Sequence, residues 1–263
     1  MISSTGNKQV KYVNALMKKT KARREEGLFV AEGARLFAEI PVRMIHSVYL
    51  SESYAKAAAG ELPEGIQQVL VVSDDVFRAM SDTQTPQGIL ALVRQHDYTL
   101  EEVLRVGDKP VHLLIMEKIQ DPGNLGTMIR TAEGAGVTGI IMDHDTADIY
   151  NPKVIRSTMG SVFRMPFVYT DDLPGILKTV QQSGIGLYAA HLKGRNNYEQ
   201  EDYTGNIGFL IGNEANGLSE TIAGMADTRV KIPMAGRVES LNAAVAASVL
   251  MFEAARQRRR SEE

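Results

Sequence analysis

The spacing of hydrophobic positions in the first 94 residues alternates between helical and strand-like patterns. The first apolar residues recur at intervals of three and four: Val10, Val13, Leu16 and Met17. This spacing predicts a helix over residues 8–20. Short apolar runs predict strands at 27–33, 44–51, 67–73 and 88–94, and the segments between them predict short helices at 34–41, 53–60 (closed by Gly60) and 74–82. The alternation indicates an α/β unit that is complete near Val93.

A polar stretch then separates this unit from a second series of strands. Residues 95–110, QHDYTLEEVLRVGDKP, carry one short helical pattern and predict a linker. Beyond it, uninterrupted apolar runs predict strands at 111–117, 139–143, 163–170, 186–192, 207–212 and 229–234, with helices at 124–136, 151–161, 173–184 and 240–260. Apolar runs without alternation are typical of a parallel sheet covered on both faces. We therefore predict domains at 1–95 and 110–263 that are joined by a linker at 96–109.

Composition excludes several classes of protein. The 263 residues are 44% hydrophobic and 23% charged, which is typical of a globular chain. No apolar run approaches the roughly 18 residues that a membrane span needs, and the N-terminus lacks the apolar core of a signal peptide. The chain has no cysteine, and none of its five histidines lies three to five residues from another. These features favour a cytoplasmic protein without a metal site.

The basic residues are concentrated near the N-terminus. Between Lys8 and Arg24 there are seven basic residues and no acidic one. Such a cluster is consistent with an arm that binds nucleic-acid phosphates. It is equally consistent with the solvated face of a helix, and the cluster alone leaves both interpretations open.

The most unusual segment is QDPGNLGTMIRTAEGAG at residues 120–136, where a glycine-rich loop runs into a helical pattern. We predict that the helix starts near Leu125, with Asn124 as its N-cap. Arg130 falls opposite the apolar stripe of this helix. It is either exposed in a loose pair with Glu133 or directed at a ligand, because ligands of α/β sheets bind at loops that follow parallel strands.

Two further segments contain glycine and polar residues directly after a strand. In FLIGNEANGLS (209–219), glycines allow positive φ or close approach to a ligand, and Glu214 is either a helix cap or a functional carboxylate. In IPMAGRVESLNAAVAA (232–247), Ser240 and Asn242 open a helix rich in small residues. Considered by itself, Ser240 is explained by a role as the N-cap of that helix. The G-x-G-x-x-A match at 184–189 lies within a predicted strand, which argues against a dinucleotide site.

Together these segments resemble, in order and spacing, the three motifs of the SpoU-type RNA ribose 2′-O-methyltransferases (TrmH family) of the SPOUT superfamily. The resemblance covers Val111 to Gln257 and includes YNPKVIRSTMGSVFRMP between the first two motifs. The segments LFVAEGARL and SDTQTPQGILALV are similar to the small N-terminal RNA substrate-binding domain of many members, which has a ribosomal-protein-like α/β fold.

The resemblance implies a C-terminal SPOUT parallel sheet with a deep trefoil knot that forms a pocket for S-adenosylmethionine, and a homodimer whose active sites are completed by the partner chain. The implied catalytic residues are Asn124, Arg130, Glu214, Ser240 and Asn242, with Arg130 as the principal one. The implied cofactor-binding residues are Gly212, Ile232, Met234 and Leu241. The candidate RNA-binding residues are Lys8, Lys11, Lys18, Lys19, Arg23, Arg24 and Arg156.

The implied activity is methylation of a ribose 2′-hydroxyl in structured RNA, with S-adenosylmethionine as the methyl donor. Large-subunit ribosomal RNA is the favoured substrate, since the appended domain is common in such members, and transfer RNA is the alternative. Glu214 is either a proton acceptor or a residue that orients Arg130. The competing interpretations are a non-catalytic RNA-binding homologue, a base-methylating SPOUT enzyme and a nicotinamide dehydrogenase. This sequence lacks the glycine-rich fingerprint loop that a dehydrogenase needs to bind its cofactor.

Overall fold

The computed structural model describes residues 1–57, 62–105, 107 and 109–261. The helices are α1 (Lys8–Lys18), α2 (Thr20–Glu26), α3 (Ala34–Phe37), α4 (Glu52–Ala57), α5 (Asp74–Met80), α6 (Leu100–Leu104), α7 (Pro122–Gly134), α8 (Pro152–Thr158), α9 (Leu173–Gln182), α10 (Glu220–Met225) and α11 (Ala243–Ser261). The strands are β1 (Leu28–Glu32), β2 (Ile45–Ser51), β3 (Val69–Val72), β4 (Ile89–Arg94), β5 (His112–Met116), β6 (Gly139–Asp143), β7 (Phe167–Thr170), β8 (Gly186–Ala190), β9 (Asn196–Asn197), β10 (Ile207–Ile211) and β11 (Thr228–Lys231). The predicted glycine stop at Gly60 and two positions of the predicted linker, 106 and 108, lie outside the described residues.

The chain divides into two compact units. The first consists of Met1–His96 and Asp148–Phe163 and contains a four-stranded mixed sheet in the order β1-β4-β2-β3. Strands β2 and β3 are parallel, whereas the other two pairs are antiparallel. The helical spacing of α1 is confirmed, because its apolar stripe is buried in the core of this unit against residues such as Tyr49 and Phe77.

Segment Asp148–Phe163 belongs to the first unit although it lies within the predicted 110–263 domain in sequence. Phe29 of β1 stacks on Tyr150, with ring centroids 4.6 Å apart, and on Phe163 at 6.2 Å. The backbone N–H of His96 donates to the Tyr150 hydroxyl at 2.8 Å. Aromatic packing of this kind contributes beyond simple area burial, so α8 and its flanks form part of the first unit's core.

The second unit consists of Asp97–Ala147 and Arg164–Glu263 and contains a seven-stranded sheet in the order β7-β6-β5-β10-β8-β11-β9. All its strand pairs are parallel, which confirms the prediction drawn from the uninterrupted apolar runs. One face packs against α9 and α10 through Leu177, Val180 and Ile222. Helix α11 contacts α7 and β10.

Several short elements were not predicted: α2, β9 and α10. The match at 184–189 does lie at a strand, β8, as expected. Within the described ranges, no helix combines the length and apolar character that crossing a membrane requires.

His112 at the start of β5 is a buried titratable group in the second unit. Its ring has 0% exposure and packs edge-on against Phe209, with centroids 5.7 Å apart. Among the described residues, neither ring nitrogen has a hydrogen-bond partner. Burial, aided by the charge of Arg258, lowers the pKa of His112 to about 3 from 6.5.

The stability of the second unit should therefore decrease on acidification. The unfolded state binds the His112 proton at higher pH than the folded state, so the stabilisation is present above the unfolded pKa and is lost as pH falls toward the folded pKa. We expect this group to remove about 3 kcal/mol of unfolding free energy between pH 7 and pH 4. His112→Leu should lose correspondingly less over the same range. Urea unfolding followed by circular dichroism at both pH values measures this; equal losses in the two proteins would contradict the assignment.

Candidate active site

The three glycine-rich segments meet at one edge of the second sheet. Strands β5, β10, β8 and β11 are adjacent and parallel, so the loops that follow them lie side by side. The loop after β5 leads to Asn124, the loop after β10 carries Glu214, and the loop after β11 carries Ser240 and Asn242.

Asn124, Glu214 and Asn242 form a continuous hydrogen-bond network. Asn124 donates from Nδ2 to Glu214 Oε1 at 3.0 Å, and Asn242 donates from Nδ2 to Asn124 Oδ1 at 3.0 Å. The backbone N–H groups of Gln120 and Asp121 also donate to the Glu214 carboxylate, at 3.5 and 3.3 Å. A carboxylate with several donors is fixed in orientation, so this network holds the ends of α7 and α11 together with the β10 loop.

The start of α7 differs from the sequence prediction. The helix begins at Pro122, and the N-cap is Asp121, whose carboxylate accepts from the Asn124 backbone N–H at 2.8 Å. Proline is favoured at the first helical position because its missing N–H would have no partner there. The predicted cap role of Asn124 and the predicted start at Leu125 are therefore wrong. Asn124 lies in the first turn, where its side chain is available to Glu214.

The loop after β10 is folded back tightly on itself. A Cβ on Gly212 would lie 2.1 Å from both the Gly217 carbonyl carbon and the Leu218 nitrogen, so only glycine fits. Gly217 has φ +68°, which favours glycine for a second reason. Asn213 fixes the turn by accepting from the N–H groups of Ala215 and Asn216 at 2.9 and 3.2 Å. The alternative role of Glu214 as a helix cap is wrong, because Ser219 caps the following helix α10.

Asn242, and not Ser240, caps the long helix α11. The Asn242 side chain accepts from the backbone N–H groups of Ala244 and Val245 at 2.9 and 3.3 Å. Ser240 precedes the helix and lines a cavity. The N-cap interpretation of Ser240 is thus wrong.

A cavity of about 770 Å³ lies at this edge of the sheet. It is lined by the β10 loop, by the segment after β11, by residues 190–193 at the end of β8 and by part of α11. The predicted cofactor-binding residues all line it, as do two of the predicted catalytic residues: Gly212, Ile232, Met234, Leu241, Glu214 and Ser240.

Arg130 does not join this group within the chain. It is exposed on α7, does not line the cavity, and has no hydrogen-bond or ion-pair partner in the described part of the chain. The alternative of a loose pair with Glu133 is wrong, because Glu133 pairs with Arg164, whose Nη2 donates to it at 3.1 Å. Glu214 contacts Asn124 and not Arg130, so Glu214 does not orient the arginine of its own chain.

The predicted RNA-binding residues differ in their environments. Arg23 is buried: it donates to the carbonyl of Leu16 at 2.7 Å and to Asp148 at 2.6 and 2.9 Å. A buried arginine with these partners is structural, and breaking such a pair typically costs about 3–5 kcal/mol, so its assignment to RNA is wrong. Arg156 pairs with Asp82 at 2.9 Å. The remaining predicted residues are exposed: Lys8, Lys11, Lys18, Lys19 and Arg24.

Lys118 is a supporting residue that the sequence did not reveal. It adopts φ +56°, an uncommon conformation for a side chain other than glycine. Its backbone N–H donates to Asp143 at 2.9 Å, and its carbonyl accepts from Asn213 Nδ2 at 2.9 Å. Lys118 therefore ties the β10 loop to the end of β6. No sequence signal distinguishes such a lysine.

Residues 191–193, which follow β8 and line the cavity, were also not predicted from the sequence. Their position directly after a parallel strand was a signal that could have identified them.

Known proteins resemble the chain along almost its whole length. The model of the SpoU rRNA Methylase family matches residues 112–252, and that of the MRM3-like substrate binding domain matches residues 7–91. The 23S rRNA (guanosine(2553)-2'-O)-methyltransferase RlmP of Bacillus subtilis is 32% identical, with 95% of this chain and 97% of the relative covered.

Solved structures agree with the sequence comparison. The AdoMet-bound rRNA methyltransferase of Sinorhizobium meliloti is 32% identical, has a TM-score of 0.84, and is covered over 97% of both chains. The SpoU methyltransferase AviRb of Streptomyces viridochromogenes in complex with AdoMet is 27% identical with a TM-score of 0.85, covering 96% of this chain and 98% of its own. The fold, the site and these relatives together place the chain among the methyltransferases. The chain belongs to the SpoU rRNA methylase family.

Proposed function

We propose that the protein transfers a methyl group from S-adenosylmethionine to a ribose 2′-hydroxyl of large-subunit ribosomal RNA. The observation that carries this proposal is the Asn124–Glu214–Asn242 network beside the glycine-walled cavity. The full-length resemblance to RlmP and to the Sinorhizobium rRNA methyltransferase favours ribosomal RNA over transfer RNA. A complete network also argues against a non-catalytic RNA-binding homologue.

The cavity fits S-adenosylmethionine in size and lining. About 770 Å³ lies in the range of small-molecule sites. Ile232 and Leu241 offer apolar contacts to a purine, and the missing side chain of Gly212 lets backbone form one wall. When bound, the cofactor supplies an electrophilic methyl group on a sulfonium sulfur. Gly212, Ile232, Met234 and Leu241 are the residues that we propose hold it.

Glu214 serves in this proposal as an orienting residue. Its Oε1 accepts from Asn124 Nδ2 and from the Asp121 backbone, and its Oε2 accepts from the Gln120 backbone. A carboxylate committed to these donors stabilises the position of Asn124, and through Asn124 that of Asn242. The side chains at the cavity edge are thereby held ready for the ribose, which is how geometry contributes to the rate of a bimolecular transfer.

Arg130 acts on the RNA in this proposal, at the site of the partner chain. Its guanidinium is exposed, lies away from its own cavity and has no partner among the residues that the structure describes, which supports a site shared between two chains. A guanidinium remains protonated in proteins and is a poor base. It is suited to a bidentate contact with the phosphate beside the target ribose and to stabilising negative charge that develops on the 2′-oxygen.

The homodimer that this requires would use the outer face of α11. Three alanines of this helix are buried within the chain and are therefore unavailable for such a contact: Ala244, Ala247 and Ala254. Val245 and Phe252, seven residues apart on the same face, remain 48% and 47% exposed. In this proposal the two side chains form the apolar centre of the interface between the chains.

Replacing Val245 and Phe252 together with glutamate should yield a folded monomer that no longer transfers methyl groups. Buried charges oppose association strongly, and each site would lose the partner's Arg130. Light scattering gives the mass, and circular dichroism confirms the fold. The control replaces Thr179 and Gln182 of α9, both exposed, with glutamate. An active monomer in the first variant would rule out both the dimer and the shared site.

We also propose the trefoil knot, the ribosomal-protein-like N-terminal domain and a cytoplasmic location. The knot is supported by the chain path: after β11, on the far side of β8, the chain returns so that α11 contacts α7 and β10. The N-terminal proposal is supported by the mixed α/β sheet and by the match to a substrate-binding domain. The location follows from a ribosomal RNA substrate.

The lysines of α1 and the residue after it should bind RNA phosphates. Changing Lys8, Lys11, Lys18 and Lys19 to alanine removes four exposed cations and leaves the buried Arg23 pair intact. Each phosphate contact to a single strand contributes about 0.7 to the salt slope. Filter binding of a 23S rRNA transcript at several salt concentrations should show a slope smaller by up to about 2.8. An unchanged slope would assign the cluster to a solvated helix face.

Mapping of ribose methylation tests the proposed function in the cell. Ribosomal RNA from a strain with the gene and from one without it is subjected to alkaline hydrolysis. A 2′-O-methyl group blocks cleavage at one position, so the strain with the gene should show one additional gap in the 23S rRNA ladder. A gap in transfer RNA alone would favour the alternative substrate, and no difference in either RNA would contradict the proposal.

A further inference from the structure

The loop at residues 191–197 lies beside the cavity and has no role in the proposed catalytic group. We call it the rim loop. It follows β8, and β8 lies between β10 and β11 in the sheet. The rim loop therefore lies between the loop that carries Glu214 and the segment that carries Ile232. His191, Leu192, Lys193 and Asn197 line the cavity.

The backbone of the rim loop is firmly anchored. His191 N–H donates to the Val230 carbonyl at 2.9 Å, and β9 at the other end of the loop pairs with β11. A Cβ on Gly194 would lie 2.6 Å from the Val230 carbonyl carbon, so the loop presses directly on the strand. The backbone N–H of Lys193 donates to His191 Nδ1 at 3.1 Å. The conformation is therefore set before any ligand arrives.

This rigid loop presents an apolar side chain between cations. Leu192 is 65% exposed, more than any other leucine in the described part of the chain. Lys193 and Arg195 are exposed, and within the described residues neither side chain has a hydrogen-bond or ion-pair partner. Exposure of the leucine to water is unfavourable, and the two cations attract negative charge. Together they favour a ligand that has both a flat apolar face and a negative charge.

A nucleotide of unpaired RNA has this chemistry. Its base offers a flat surface for an aliphatic side chain, and its phosphate suits a lysine or an arginine. We propose that the rim loop binds the RNA nucleotide that flanks the target ribose, with Leu192 against the base and Lys193 and Arg195 at the phosphates. The inference rests on the proposed function, because it assumes that the ribose enters at the adjoining cavity. The rim loop would thus position the RNA so that the target ribose enters the cavity.

The test is a double variant, Lys193→Ala with Arg195→Ala, and a single variant, Leu192→Ala. The matched control is Lys109→Ala with Lys178→Ala, which removes two exposed cations, one before β5 and one on α9, that do not line the cavity. Each protein is measured for filter binding of a 23S rRNA transcript, for methyl transfer to that transcript, and for calorimetric S-adenosylmethionine binding.

Relative to the control, the double variant should bind the transcript about 20-fold more weakly at 0.1 M salt, with a salt slope smaller by about 1.4. Leu192→Ala should raise KM for the transcript and leave the salt slope unchanged. In both variants, turnover with RNA and cofactor at saturation should remain that of the wild type. Because Leu192 and Lys193 also line the cavity, cofactor affinity is measured as well, and it should change less than RNA binding does. This division between KM and turnover is not expected of a variant that merely disturbs the fold.

The possible results separate this inference from the proposed function. Wild-type RNA affinity in both variants, with methyl transfer intact, would overturn the rim-loop inference alone. Weakened cofactor binding with unchanged RNA binding would also overturn it and assign the loop to the cofactor. RNA binding that depends on the rim loop in a wild-type protein that transfers no methyl group would overturn the proposed function and support the loop. A wild type that binds no RNA would overturn both.

Discussion

Arg130→Ala should abolish methyl transfer while the protein remains folded and binds S-adenosylmethionine normally. Arg130 is exposed, lies off the apolar stripe of α7 and does not line the cavity, so its removal disturbs neither the core nor the cofactor site. Surface substitutions of this kind change stability by about 0.5 kcal/mol or less. Loss of a group that stabilises developing charge lowers turnover by about 100- to 1000-fold. Single-turnover methylation and calorimetry measure the two properties separately.

Two companion experiments sharpen this prediction. Arg130→Lys should also be nearly inactive, because an ammonium does not reproduce the two-pronged guanidinium contact. If the site is shared, mixing Arg130→Ala with Glu214→Ala chains should restore about a quarter of the wild-type activity, since half the dimers then contain one intact site out of two. Near-normal turnover of Arg130→Ala would refute its assigned role. Loss of cofactor binding in that variant would make the arginine structural.

Gly212→Ala should weaken S-adenosylmethionine binding at least tenfold and lower activity accordingly. The added Cβ would lie 2.1 Å from backbone atoms of Gly217 and Leu218, and backbone atoms cannot rotate away as the end of a side chain can. Overpacking of this kind costs about 1–3 kcal/mol, and relief requires the loop that carries Glu214 to shift. The expected loss therefore affects both the cavity wall and the network with Asn124.

Gly205→Ala provides the control for this variant. A Cβ at Gly205 meets nothing within 4 Å, so the same chemical change is made where space is available. Calorimetric cofactor affinity should be unchanged in Gly205→Ala. Equal affinity in the two variants, both matching the wild type, would show that the tight turn after β10 is not part of the cofactor site.

The sequence predicted most elements of the second sheet because its strands are buried on both faces. The run at Gly139–Asp143 was predicted with its observed bounds, and the uninterrupted apolar character identified a parallel sheet. The two-residue strand β9 was missed, since Asn196 and Asn197 have no apolar pattern and pair only because the chain reaches β11. The cap of α7 was misassigned because Asp121 and Asn124 are both good caps. Pro122 was the signal that favoured Asp121.

Long-range pairing explains what the sequence did not predict about individual side chains. Arg23 belongs to a basic cluster, and nothing near it in sequence shows that Asp148, 125 positions away, neutralises it in a buried site. The joining of Asn124, Glu214 and Asn242 also depends on strand order, which places distant loops at one edge. Resemblance to a family named these residues, and the fold supplies the physical reason for their proximity.

The most direct test of the central claim is methyl transfer by the purified protein to an unmodified 23S rRNA transcript. The transcript is incubated with S-adenosylmethionine that carries a labelled methyl group, digested to nucleosides and separated. The account predicts label in a single 2′-O-methylated nucleoside, absent when Arg130→Ala replaces the wild type. Label on a base, or no label in the transcript while the protein binds both the cofactor and the RNA, would contradict it.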